Sequence, residues 1–318
     1  MLKDSLTELL YILCGLICFF SVYSTCKDKK HPSKLATALF WSILGFIFTF
    51  SRIGTLWGNS EIYINNTVVG YLVLAMAILS ASKKVKYNTF NESTADFKEK
   101  MAAIIGNKIF IPALSLAIVA FVIAQLWTKQ LGSLVALGIS AVVASILSLM
   151  ITKGKCSEMI EDGRRLLEVV GPVSILPQLL AALGSVFAVA GVGDVIAGAI
   201  KTVIPEGNIF LGVVTYCIGM ALFTMIMGNG FAAFTVITVG IGVPFVFMQG
   251  ADPAIASTLA LTAGFCGTLL TPMAANFNIV PTAILEIDDR KYGLIKYQAP
   301  VAIVMLIIHI ILMYVWAF

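Results

Sequence analysis

The chain is 318 residues long, 59% hydrophobic and only 12% charged, where an ordinary soluble domain has about 45–50% apolar and about 25% charged residues. Its apolar residues fall in runs of about 20, the length a helix needs to cross a hydrocarbon core of about 30 Å, and this excludes a soluble globular protein. The net charge of +4 comes from short basic clusters between the runs, which argues against a nucleic-acid partner and makes the charges a topology signal.

The first run, Leu6–Cys26, is too long for a signal-peptide core and is followed, not preceded, by its lysines, so it reads as a retained span. Leu35–Leu56, Ile62–Ser82, Ile109–Thr128 and Leu131–Thr152 complete a set of regular spans over residues 1–155. Two charged stretches, Thr94–Lys108 and Cys156–Val170, carry apolar residues at helical spacing. They suit either helices lying along the interface or solvated connectors. Over 156–318 the apolar segments are Val173–Ile200, Ile209–Met227, Phe231–Met248, Ala254–Met273 and Gln298–Trp316, the first four interrupted by Gly, Pro, Asn or Thr. The expectation is an all-α polytopic membrane protein, one membrane domain of about ten transmembrane or re-entrant segments.

Basic residues set an orientation. Lys27, Lys29, Lys30 and Lys34 follow the first span, and Lys83, Lys84, Lys86, Lys98, Lys100 and Lys108 flank the third and fourth. Alternation puts Lys153, Lys155, Arg164, Arg165, Arg290, Lys291 and Lys296 on the same, cytoplasmic side, leaving Lys3, Arg52, Lys129 and Lys201 outside with both termini. The six cysteines form no CxxC pair and most lie inside apolar runs, so they read as small buried side chains rather than disulfides or metal ligands.

The informative region runs from Gly171 to Pro281, because a membrane helix carries breakers and amides only where its backbone opens or where helices approach closely. One cluster extends from Gly171-Pro172 through Pro177-Gln178 to Gly191-Val192-Gly193-Asp194, and Gly240-Ile241-Gly242 is a weak echo of its end. A second is Gly228-Asn229-Gly230-Phe231, and a third is Thr268, Thr271-Pro272 and Asn276-Phe277-Asn278. Broken helices offer unpaired N–H groups to an anion and freed carbonyls to a cation. Gly228, Asn229, Gly230, Thr268, Thr271, Pro272, Asn276 and Asn278 are therefore the candidate solute-binding residues, with close helix packing as the competing reading.

Ionisable residues with apolar neighbours on both sides are Arg52, Asp194 and His309. Asp194 is the candidate for a coupling Na⁺ or proton, or else a cap for a helix beginning at Val195. Gly191-Val192-Gly193-Asp194 also spells the GxGD pattern of intramembrane aspartyl proteases, but such chemistry needs a second carboxylate to share a proton. Asp162, Asp252, Asp288 and Asp289 all fall in connections, and there is no HExxH, GxSxG or phosphate-binding loop. The expectation is no enzyme, no metal and no cofactor beyond a coupling ion.

Met227–Ile241 (MGNGFAAFTVITVGI) and Gly264–Leu285 (GFCGTLLTPMAANFNIVPTAIL) resemble the bacterial domain-of-unknown-function 979 family of membrane proteins. The opening span with its basic loop, Thr37-Ala38-Leu39-Phe40-Trp41 and Gly293-Leu294-Ile295-Lys296 extend the likeness over essentially the whole chain. The resemblance implies one subunit of a two-part permease in the bacterial cytoplasmic membrane, accompanied by a shorter protein of the domain-of-unknown-function 969 family and linked to uptake of pyroglutamate (5-oxoproline), a small carboxylate with a lactam. The chain departs from the family pattern at Gly230, where Ala is common, and at Thr235, where Pro is common. The alternatives to a transporting subunit are an accessory scaffold and, more remotely, the protease.

Overall fold

A computed structural model describes residues 2–58, 61–86, 94–201, 207–285, 287–289 and 291–318. Every regular element among them is helical. Eight helical stretches are long and apolar enough to cross a membrane, and two shorter apolar helices, Asn66–Ala81 and Pro253–Leu269, accompany them. The chain is an all-α polytopic membrane protein. It divides into two compact units, Met1–Pro172 and Val173–Phe318.

The first unit holds α1 (Leu2–Lys27), α2 (Lys34–Phe50), α3 (Asn66–Ala81), α4 (Ala95–Ile105) and α5 (Phe110–Thr152), and nearly all of α6 (Cys156–Ser174). In lipid no hydrophobic force pulls apolar helices together, so close approach through small residues matters. Gly15 of α1 and Gly45 of α2 supply it: a β-carbon on Gly15 would stand 3.0 Å from the Gly45 carbonyl oxygen and collide with the Thr49 hydroxyl. Phe40 and Trp41 are fully buried, their rings edge to face at 5.5 Å. The loop between α1 and α2 is pinned to the chain after α3. His31 Nδ1 accepts the Ser33 N–H (3.1 Å), so Nε2 carries the proton it donates to the Lys86 carbonyl (3.2 Å), and the Thr37 hydroxyl donates to the same oxygen (3.0 Å). The two spans expected at Ile109–Thr128 and Leu131–Thr152 form one continuous helix, α5, bent where Trp127 (φ −129°) and Gly132 (φ 77°) leave helical geometry. In α6 the nearly buried Glu168 takes its ion pair from Arg164, one turn earlier, at 3.0 Å.

The second unit begins with α7 (Leu176–Val189) and α8 (Val192–Lys201). Then follow α9 (Ile209–Met227), α10 (Gly230–Ile237), a wide π turn at Thr238–Gly242, the single turn α11 (Val243–Phe245), α12 (Pro253–Leu269), a second π turn at Ala275–Ile279, the short α13 (Val280–Ile284) and α14 (Gly293–Trp316). Side-chain caps start three of these helices: Asn208 accepts from the Leu211 N–H (3.0 Å), Asn229 from two amides of α10, and Asp252 from the Ala254 (2.8 Å) and Ile255 (3.1 Å) amides. The core lies between α9, α12 and α14. Val213, Tyr216, Cys217 and Met220 of α9 meet the alanine face Ala256, Ala260 and Ala263 of α12 and Met313 of α14, all of them without solvent exposure. Gly267 lets α12 lie against the backbone of Ala221, where a β-carbon would overlap the carbonyl oxygen. His309 stays in this apolar setting by donating Nδ1–H to the Met305 carbonyl, 2.6 Å away on the preceding turn. The two glycine motifs that echo each other in sequence are packed together, a β-carbon on Gly240 standing 2.6 Å from the Gly193 carbonyl oxygen.

Candidate functional site

Two helix breaks meet in the second unit. α9 ends because Gly228 adopts a left-handed conformation (φ 68°, ψ 7°), its N–H returning to the Thr224 carbonyl at 2.7 Å. Asn229 restarts the chain as α10, its Oδ1 accepting from the Phe231 (2.9 Å) and Ala232 (3.3 Å) amides, while Nδ2 points at the Pro177 carbonyl of α7 at 3.5 Å. The other break follows Leu269, where α12 gives way to residues 270–274 before the π turn resumes at Ala275. Asn278 braces it, its Nδ2 donating to the carbonyls of Thr268 (2.8 Å) and Thr271 (2.7 Å). The Thr271 hydroxyl donates to the Met225 carbonyl (2.9 Å), tying this break to the end of α9.

Between the breaks and the start of α7 lies a cleft of about 400 Å³. Its polar edge comes from Gln178, Asn229, Thr268 and the backbone of Gly228 and Gly230, and Pro177, Leu180, Ala181, Phe231, Phe265, Ala275 and Phe277 supply apolar walls. The aromatic rings form a chain, Phe231 edge-on to Phe265 with centroids 5.9 Å apart and Phe265 tilted against Phe277 at 5.8 Å. Such a mixture of broad apolar wall and few polar groups, in a volume of roughly 300–1,000 Å³, is the usual make-up of a small-molecule site. Its polar groups are neutral, and the amide and hydroxyls can orient a carboxylate or lactam without a buried fixed charge.

The candidate residues divide between the cleft and its frame. Gly228, Asn229, Gly230 and Thr268 line the cleft. Thr271 and Asn278, both 4% exposed, are occupied in bracing the backbone, and Pro272 is half-buried beside them. The backbone of Asn276 belongs to the π turn, and its side chain lies outside the described residues. Asp194 is exposed in the first turn of α8, which begins at Val192 rather than Val195; it does not line the cleft. A carboxylate there sits favourably against the helix dipole. Sequence reasoning passed over Gln178 and the three phenylalanines as wall residues, because aromatic residues in a membrane span carry no signal that separates a cleft from a lipid face. It also passed over Thr224, whose buried hydroxyl has no hydrogen-bond partner one turn before the first break. Asn278 Oδ1 is likewise buried and unpartnered.

A comparison with curated proteins found no match, and neither did a comparison with solved structures. The family model described as "Protein of unknown function (DUF979)" matches residues 8–318, which takes in both units and both helix breaks. The chain therefore belongs to the DUF979 family of proteins.

Proposed function

We propose that this chain is a subunit of a secondary permease for a small organic acid, with pyroglutamate as the first candidate solute and a Na⁺ or proton gradient as the driving force. The observation that carries the reading is the cleft at the paired helix breaks, since a discontinuous pair of helices is the arrangement that lets a membrane protein hold a polar solute away from bulk water. In this reading the phenylalanine walls take the apolar face of the pyrrolidone ring, and the lactam and carboxylate meet Gln178, the Asn229 amide and the Thr268 hydroxyl. Gly228 and Pro272 hold the helix ends open, and Asn276 and Asn278 support the frame. The chain acts in the cytoplasmic membrane of a bacterium with a second membrane subunit of the domain-of-unknown-function 969 family.

One observation favours a second reading, an accessory subunit that steadies a transporting partner. Asn278 and Thr271 spend their donors on backbone carbonyls of this chain, as helix-packing residues do. Uptake of radiolabelled pyroglutamate into cells lacking their own system, with this chain expressed alone and with its partner, tests the proposal. Saturable uptake that needs this chain and falls on substitution of Gln178 or Thr268 supports transport through the cleft. Uptake unaffected by those substitutions, with protein in the membrane, favours the accessory role.

A further inference from the structure

The first unit contains a second polar cleft, of about 440 Å³, at the N-terminal end of α1. Glu8 lies on its wall, 3% exposed, within the stretch Lys3–Lys27 that is long and apolar enough to cross the membrane. Its Oε1 is buried without a hydrogen-bond partner. An ionised carboxylate in such a place costs several kcal/mol unless it is paired and hydrogen-bonded, so the physical alternatives are a cation or a proton. The charged and titratable groups facing the cleft are Lys3, Asp4 and Tyr11 from α1 itself and Arg52 from the turn after α2, with Thr55 beside it. The bent stretch of α5 contributes Gly132, Ser133 and Leu134, none of them titratable, and Lys3 passes directly over Gly132. With Arg52 and Lys3 already present, a metal cation is disfavoured, and no group of three or more metal-binding side chains exists among the described residues.

We infer that Glu8 is a proton-binding site of this chain, reached through the cleft at the start of α1 and opposed by the Arg52 guanidinium. Glu8–COO⁻ takes a proton from the open side of the cleft and returns it there, while Arg52 compensates the charged form. In the permease reading this proton is the coupling ion, and the inference rests on that reading only for the use of the proton, not for its binding. The sequence hides the site because Glu8 stands two residues inside the first apolar run, where an acid passes for the edge of a span.

The test is a pH-difference infrared titration of the purified full chain in lipid membranes, from about pH 5 to about pH 9, a range above the ordinary carboxylate values of about 4. The inference expects a protonated-carboxyl band that titrates in that range, is lost in Glu8→Gln, shifts in frequency in Glu8→Asp, and changes midpoint in Arg52→Gln. If Glu8→Gln fails to accumulate, the Glu8→Asp shift and the Arg52→Gln midpoint still decide. Absence of a titrating band, or a band that survives Glu8→Gln and disappears in Asp194→Asn, overturns it. A chain that shows the Glu8 band but no pyroglutamate uptake with its partner would keep the proton site and withdraw the permease reading.

Discussion

A β-carbon on Gly228 would stand 2.7 Å from the Met273 carbonyl oxygen, so the break after α9 and the break after α12 are in backbone contact. Gly228 also has φ 68°, a conformation that L-residues with a β-carbon adopt at a cost of about 1–2 kcal/mol. Gly228→Ala should therefore separate the two breaks and lower the melting temperature of the purified protein. Gly70→Ala is the control, since nothing lies within 4 Å of that helical glycine; it should be neutral or stabilise by up to about 1 kcal/mol.

Asn278 makes two backbone bonds from one amide nitrogen in a site 4% exposed. Asn278→Leu leaves the Thr268 and Thr271 carbonyls without that donor, and each unmade bond costs about 1–3 kcal/mol. Asn278→Asp removes the donor as well and sets a carboxylate against the same oxygens. Both variants should melt at lower temperature than wild type, with Asp the worse of the two. Equal melting temperatures for all three proteins would show that the brace is not needed.

Phe265 touches both neighbouring rings of the cleft wall. Aromatic pairs contribute about 0.5–1.5 kcal/mol each. Phe265→Ala should weaken solute binding by roughly 1–2 kcal/mol, about ten-fold in affinity, and appear as a raised KM for uptake with protein still in the membrane. Phe265→Leu should restore part of the loss.

Asp289, in the connection before α14, accepts from the Lys291 (3.3 Å) and Tyr292 (3.0 Å) amides and from Lys296 Nζ (3.0 Å). The Tyr292 amide first, then the Lys296 ammonium, hold its carboxyl below the ordinary value of 3.8. A carboxyl lowered on folding contributes stability that is present above its unfolded value and is lost as pH falls through its folded value. The start of α14 should accordingly loosen only in the acid range below the ordinary value. Amide hydrogen exchange at Tyr292 and Gly293, followed as pH is lowered and corrected for intrinsic rates, should show protection lost in wild type. Asp289→Asn should show little change over the same range.

The spans were legible because lipid imposes a length, and runs such as Ile209–Met227 match helices residue for residue. The breaks were legible too, since Gly228-Asn229 and Thr271-Pro272 interrupt apolar runs that have no other reason to carry them. What sequence could not show was tertiary. Gly228 meets Met273, and Gly193 meets Gly240, only because α8, α9 and α12 are brought together around the π turns. The direction of the amides was equally hidden: Asn229 and Asn278 look alike in sequence, yet one lines the cleft while the other faces the backbone behind it. Periodicity also missed the bend of α5 at Trp127 and Gly132, because a kinked helix and two spans share the same apolar pattern.

The central claim, that the cleft at the paired breaks holds the solute, is tested most directly at Ala181, an exposed residue on the cleft wall. Ala181→Cys, made with the exposed Cys26 and Cys156 replaced by Ser, is alkylated in membranes containing the partner subunit while pyroglutamate is increased. The account predicts that alkylation slows as solute is added, with half-protection near the KM for uptake. Alkylation at an unchanged rate while uptake saturates would contradict it.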